Sequence, residues 1–276
     1  NFQKSGSFKI RGATNAVLSL SDIEASHGVI THSSGNHAGA LALAAGWRNI
    51  AAHVVMPRNT IAPKRDAAAE YGAEIVFCTA TLADRERTLT QVLEYTNAEF
   101  IHPYNDLRII TGQATAALEL CREIPGLDAV IAPVGGGGLL SGTAIAVSAV
   151  SPGTRIFGAE PEQANDAWQS FQMDKLILVQ NPATIADGLR TSLGTLTFPL
   201  IKKYVTDIMT VSEAAIITAM RTVWERMKII IEPSAAVPLA AAMSGSHDLK
   251  DKRLGIILSG GNADCDQLPW NIPHNR

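Results

Sequence analysis

Neither sign of charge dominates this chain of 276 residues: 23 Lys and Arg stand against 26 Asp and Glu, a formal charge of −3. With no basic block or Arg/Lys stripe either, nucleic acid and anionic membrane surfaces are excluded as principal partners. Cysteine is scarce. Cys78, Cys121 and Cys265 are odd in number, far apart and outside any CxxC or Cys/His cluster. That pattern excludes a disulfide framework and a structural zinc site, and it points to reduced thiols in the cytoplasm. Long apolar spans are missing too. Charge is absent from Ala129 to Thr154, but Pro133 and four glycines interrupt the stretch, so its halves read as a strand and a packed helix rather than a membrane span. Low-complexity linkers, convincing repeats and a secretory signal are likewise not seen. The chain opens Asn1-Phe-Gln-Lys4 without an initiator Met, and we expect a fragment or a processed chain.

What is present is an alternation of short apolar runs with helical stretches. Strands are expected at Gly28–Ser33, Ala52–Met56, Glu74–Cys78, Phe100–His102, Ala129–Val134, Arg155–Ala159, Asp207–Val211 and Leu254–Leu258. Helices are expected at Ala38–Trp47, Ala62–Tyr71, Leu82–Thr96, Ile110–Arg122 and Glu213–Lys228. Strand, helix, strand in repeating order predicts an α/β protein with mainly parallel sheets flanked by helices, with ligands at the carboxyl ends of the strands. The length allows two domains, expected as a small mobile domain at 28–104 and a larger one made from 1–27 and 105–276.

Four junctions carry polar chemistry. Gly135-Gly-Gly-Gly138 joins the apolar run Ala129–Val134 to a small-residue helix beginning at Leu139. Four residues without Cβ at a strand-to-helix turn let backbone N–H groups converge on an anion such as phosphate; a flexible turn is the plainer reading. Ser33-Ser-Gly-Asn-His37 puts hydroxyls, an amide and an imidazole at another helix start, suited to a carboxylate, although Ser34 or Asn36 could simply cap the helix. Ser259-Gly-Gly-Asn262 delivers a small hydroxyl after a strand, either for one hydrogen bond to a neutral ring nitrogen or as an ordinary turn residue. Lys9, between Phe8 and Ile10 at the opening of a helical segment, is either a solvated lysine or an amine held among apolar neighbours and other cations, as a nucleophile requires.

Together, Ser5-Gly-Ser-Phe-Lys-Ile-Arg-Gly-Ala13, Ser33-Ser-Gly-Asn-His37, Pro133-Val-Gly-Gly-Gly-Gly-Leu139 and Ser259-Gly-Gly-Asn262 resemble the fold-type-II, tryptophan-synthase-β-like family of pyridoxal-phosphate enzymes, most closely its serine racemase and serine/threonine dehydratase branch. The resemblance runs through nearly the whole chain in family order; members usually carry several tens of residues ahead of the lysine motif. It implies that Lys9 holds pyridoxal 5'-phosphate covalently and later moves the substrate's α-proton. By the same resemblance Gly135, Gly136, Gly137, Gly138 and Leu139 grip the phosphate, Ser259 meets the pyridine nitrogen and Asn36 the ring hydroxyl. Ser33, Ser34 and His37 would receive the substrate carboxylate.

Ser34 stands where dehydratases of the family have alanine and racemases have a serine acting as acid/base on the second face, so racemisation is expected beside elimination. Arg85 matches an arginine that reaches substrate in racemases, and a guanidinium suits a carboxylate. Glu160, the carbonyl of Ala164 and Asp166 match positions that hold a divalent cation, with hard oxygen ligands favouring Mg²⁺ or Ca²⁺, or Mn²⁺ as a substitute. His37-Ala-Gly-Ala40 lacks the glutamine with which ATP-binding members hold nucleotide, and Tyr104 replaces their asparagine. The expected partner is a small β-hydroxy amino acid, and the expected assembly a homodimer. Two alternatives accompany this reading: a dedicated dehydratase for L-threonine or 3-hydroxyaspartate, and a non-enzymatic α/β protein that binds a phosphorylated metabolite.

Overall fold

The computed structural model describes residues 1–178, 182–245 and 248–271. It divides into two compact units, Phe2–Gly112 and Asn1 with Gln113–Arg276.

The first unit contains α1 (Lys9–Leu18), α2 (Asp22–Ser26), β1 (Val29–His32), α3 (Asn36–Arg48), β2 (Ala52–Pro57), α4 (Ala62–Glu70), β3 (Glu74–Cys78), α5 (Leu82–Thr96), β4 (Glu99–Phe100) and the start of α6 (Leu107–Glu123). Its sheet is wholly parallel in the order β3-β2-β1-β4. Val29 lies opposite Ala52 on one side and Glu99 on the other, so β1 is central. That makes β1/β4 the switch point of the sheet, where the chain's crossovers diverge and leave a crevice at the strands' carboxyl ends. The core joins Ile10, Ala13 and Val17 of α1 to Leu41 and Ala45 of α3, with Val29 and Ile109. Packing therefore groups α1 with the first sheet, whereas the strand pattern alone suggested grouping residues 1–27 with the later units. A Cβ on Gly112 would stand 2.5 Å from the Cα of Gly12, so α6 lies against α1 at a point only glycine permits, one turn beyond Lys9.

The second unit holds β5 (Ala129–Pro133), α7 (Gly138–Val150), β6 (Arg155–Pro161), α8 (Asp166–Met173), α9 (Thr197–Tyr204), β7 (Asp207–Val211), α10 (Glu213–Thr222), α11 (Pro233–Met243) and β8 (Leu254–Ile256). Its sheet is also parallel, in the order β7-β6-β5-β8. Every residue of β5 is buried, which is why that strand reads as an unbroken apolar run. Ala129 pairs with both Arg155 and Leu254, making β5/β8 the second switch point. The helix expected to run to Lys228 instead loosens into a π-helical turn at Val223–Met227, where the Trp224 indole donates to the Ile231 carbonyl at 2.9 Å.

Candidate active site

Three of the four predicted motifs leave strands at these switch points, and the fourth opens α1. In the first unit, β1 delivers Ser33–His37 and β4 delivers His102–Asn105. Lys9 is the first residue of α1, half-buried, with Nζ donating to the Pro103 carbonyl at 2.8 Å and standing 5.3 Å from the centroid of the Phe8 ring. The turn that presents Pro103 is held by a side chain. His102 Nδ1 accepts the amide of Asn105 at 2.9 Å and that of Tyr104 at 3.3 Å, so its ring proton sits on Nε2. Burial, then the charge of His32 and Lys9, lowers His102 to about 4. His32 packs edge-on against His102 and is also lowered to about 4, chiefly by burial and then by Arg85. His37 is 1% exposed, and the Ile101 backbone is the one group placed to bond its ring among the described residues. Burial, and after it Lys9, drives its pKa well below the usual imidazole value. Near neutral pH three uncharged imidazoles therefore share this region with the Lys9 amine.

The start of α3 is not closed by a side chain. Its N-cap is Gly35, without a side-chain hydrogen bond; Ser33 Oγ accepts the Gly35 amide at 3.2 Å, and Ser34 is exposed. No side-chain bond closes the N-cap, and the first turn keeps its affinity for an anion. Arg85 extends from α5, with Nε buried and lacking a partner among the described residues. A guanidinium N–H left in that state suits a carboxylate acceptor.

In the second unit β5 leads into the glycine run and β8 into Ser259, at the carboxyl ends of neighbouring strands. All four glycines are buried. Gly137 has φ +87 and caps α7 without a side chain, and among the described residues the amides of Gly135 through Leu139 find no acceptor. A cluster of such N–H groups at a helix start is suited to an anion. The absence of Cβ has a second cause. A Cβ on Gly135 would meet Leu189 Cα at 3.0 Å, and one on Gly137 would meet Leu193 Cδ2 and Thr197 Oγ1 at 2.8 Å. The run is pressed from behind by residues 188–201, so it is packed rather than flexible. Ser259 is 3% exposed.

Glu160 is the last residue but one of β6 and Asp166 begins α8, both almost fully buried, with Ala164 between them in a 3-10 turn. Glu160 accepts the Trp168 amide at 2.6 Å and the Ala167 amide at 3.3 Å. Burial, reinforced by the neighbouring Asp166, still raises its pKa well above the carboxylate range. Asp166 is pushed up to about 7 by burial, and its Oδ2 has no partner among the described residues. Buried carboxylate oxygens in that condition are costly without a proton or a cation. Among the described residues no group of three or more His, Cys, Asp and Glu is placed to hold a metal, and no helix is long and apolar enough to cross a membrane.

The roles of His102 and Thr197 escaped sequence reading. His-Pro-x-Asn is a visible turn signal, but which carbonyl it offers to Lys9 depends on packing. Thr197 acts on a residue 61 positions away. Taken unit by unit, the donors have the chemistry that a phosphorylated carbonyl cofactor needs: the second unit offers amides suited to a phosphate and a buried hydroxyl at Ser259, and the first an amine at Lys9 suited to a carbonyl.

Comparison with known proteins agrees with that fit. The chain is 48% identical over 271 residues to the beta-hydroxyaspartate dehydratase of Paracoccus denitrificans (strain Pd 1222), covering 98% of this chain and 86% of that protein. It is 48% identical over 274 residues to serine racemase of Arabidopsis thaliana, covering 98% and 82%. The solved structure of maize serine racemase superposes with a TM-score of 0.94 at 45% identity, covering 98% of this chain and 83% of that one. Residues 1–260 match the family described as pyridoxal-phosphate dependent enzyme. With all but its last residues inside that match, the chain belongs to the pyridoxal-phosphate-dependent enzymes.

Proposed function

We propose that this enzyme racemises serine and eliminates the β-hydroxyl of small β-hydroxy amino acids, releasing ammonia and a 2-oxo acid. The observation that carries the reading is the exposed Ser34 hydroxyl at an uncapped helix start, in the same compact unit as Lys9. When bound, the cofactor supplies an electron sink for the bond pair released at the substrate's α-carbon. Gly135–Leu139 hold its phosphate, Lys9 holds it covalently, Asn36 meets its ring hydroxyl, and Ser259 offers the ring nitrogen a neutral hydroxyl. A hydroxyl, unlike a carboxylate, does not keep that nitrogen firmly protonated, which favours quick loss of a β-group or quick reprotonation. Ser33, Ser34 and His37 receive the substrate carboxylate at the start of α3. The freed Lys9 amine takes the α-proton from one face, and Ser34 returns one on the other. Arg85, with its unpaired Nε, takes a second carboxylate, which would suit 3-hydroxyaspartate.

Ser34→Ala tests the division of labour. Interconversion of D- and L-serine should fall by about 10²-fold or more, the usual worth of a positioned acid/base, while 2-oxo acid from the L-substrate stays within severalfold. Unchanged racemisation would refute the role of Ser34. A dedicated 3-hydroxyaspartate dehydratase is the second reading, supported by the likeness to the Paracoccus protein; it predicts 2-oxo acid from 3-hydroxyaspartate and no D-serine from the unaltered enzyme. Membership of an enzyme family speaks against a non-enzymatic binder of phosphorylated metabolites.

Glu160, the Ala164 carbonyl and Asp166 are proposed to hold a divalent cation, Mg²⁺, Ca²⁺ or Mn²⁺, which would relieve the unpaired Asp166 oxygen. Chelation should lower both thermal stability and turnover, and Mg²⁺ should restore them; indifference to chelator removes the site. A homodimer in the cytoplasm completes the proposal, the free state of Cys78, Cys121 and Cys265 supporting a reducing compartment.

A further inference from the structure

Packing holds the glycine run in place, but a glycine has no side chain of its own to set which way its peptide faces. One buried side chain supplies the missing constraint. Thr197, the first residue of α9, is 0% exposed, and its Oγ1 donates to the Gly136 carbonyl at 2.8 Å. The same hydroxyl accepts the Gly194 amide at 2.8 Å. The Gly194 carbonyl, at 3.3 Å, is a poorer acceptor for the single hydroxyl proton and already receives the Phe198 amide at 2.9 Å. The Thr197 carbonyl in turn accepts Ser141 Oγ of α7 at 3.3 Å. The hydroxyl is thus orientated from both ends.

Covalent geometry carries the consequence across the peptide plane. The described chain has no cis peptide bond, so the Gly136 carbonyl and the Gly137 N–H point in opposite directions. Holding the carbonyl towards Thr197 turns the N–H away from the packed segment, and that N–H has no acceptor among the described residues. We propose that Thr197 is a positioning residue for the phosphate grip: its hydroxyl fixes the Gly136–Gly137 peptide so that the Gly137 amide faces the cofactor's phosphate. The proposal rests on the reading that Gly135–Leu139 hold that phosphate.

The test uses the full chain, titrated with pyridoxal 5'-phosphate and separately with pyridoxal, which lacks the phosphate. Thr197→Val keeps the shape and removes the hydroxyl. It should weaken pyridoxal 5'-phosphate about tenfold while leaving pyridoxal affinity unchanged, and the unfolding midpoint of the ligand-free chain should fall only by what the lost buried hydrogen bonds contribute. Thr197→Ser should restore affinity to within about twofold. Unchanged affinity in Thr197→Val, or an equal loss for both ligands, overturns the proposal. Should the unaltered chain bind both ligands equally, the phosphate reading itself fails and takes the proposal with it. If Thr197→Val does not fold, the Gly137 amide resonance of the unaltered chain decides: inorganic phosphate should shift it, and no shift overturns the proposal.

Discussion

Lys9→Ala should lose about 10³-fold or more of turnover on every substrate, together with the absorbance of covalently held cofactor. Proton transfer by a positioned side chain is alone worth about 10²- to 10⁴-fold, and here the same amine also makes the covalent link. Lys9→Arg should be as inactive, because a guanidinium that stays protonated is neither nucleophile nor base. Folding should survive. Lys9 is half-buried at the first position of α1, where its Nζ bond to the Pro103 carbonyl is peripheral to the core of Ile10, Ala13 and Val17. Steady-state kinetics, the absorbance spectrum and denaturant unfolding check the three statements. Retained turnover in Lys9→Ala would remove the basis of the proposed chemistry.

Gly137→Ala should be damaging for a different reason. Its φ of +87 suits glycine, and an added Cβ would lie 2.8 Å from Leu193 Cδ2 and Thr197 Oγ1 and 2.9 Å from Ile201 Cδ1. Left-handed strain costs about 1–2 kcal/mol and overpacking about 1–3 kcal/mol, so stability should fall by roughly 3 kcal/mol. Any shift that relieves the clash also displaces the Gly137 amide, and a misplacement of that kind costs binding or catalysis about 10²-fold. Gly153→Ala is the control: nothing lies within 4 Å of its Cβ position, and its effect should stay within about 0.5 kcal/mol. Denaturant midpoints and cofactor titrations separate the two variants; equal behaviour would mean that the glycine run is not tightly packed.

The local pattern carried most of the elements and little of their arrangement. The helix Leu82–Thr96 was legible from end to end, and the glycine run falls at the strand-to-helix junction expected for it. Both depend on neighbours in sequence, which periodicity and composition report. Sheet order was not legible, because the placing of β4 beside β1 and of β8 beside β5 is decided by long-range pairing. Only Glu99–Phe100 pair as a strand where the pattern suggested Phe100–His102, since His102 turns the chain by accepting two amides just downstream. The packing of α1 on α3 and its crossing with α6 were hidden for a similar reason: small residues such as Gly12 and Gly112 mark a close crossing only once the partner is known. The site motifs were readable one by one, because three are short runs after a strand and the fourth is a short run opening a helix. What holds them was not. Pro103 for Lys9 and Thr197 for Gly136 act through backbone carbonyls that sequence does not advertise.

The central claim is that Lys9 carries the cofactor. Hydride reduction of the loaded enzyme fixes the cofactor to the lysine that holds it, and mass analysis of the proteolytic fragments then locates the label. The account predicts one labelled fragment, the one containing Lys9, and no label in Lys9→Ala. Label on Lys4, Lys64 or any other lysine, or no fixed label at all, would contradict it.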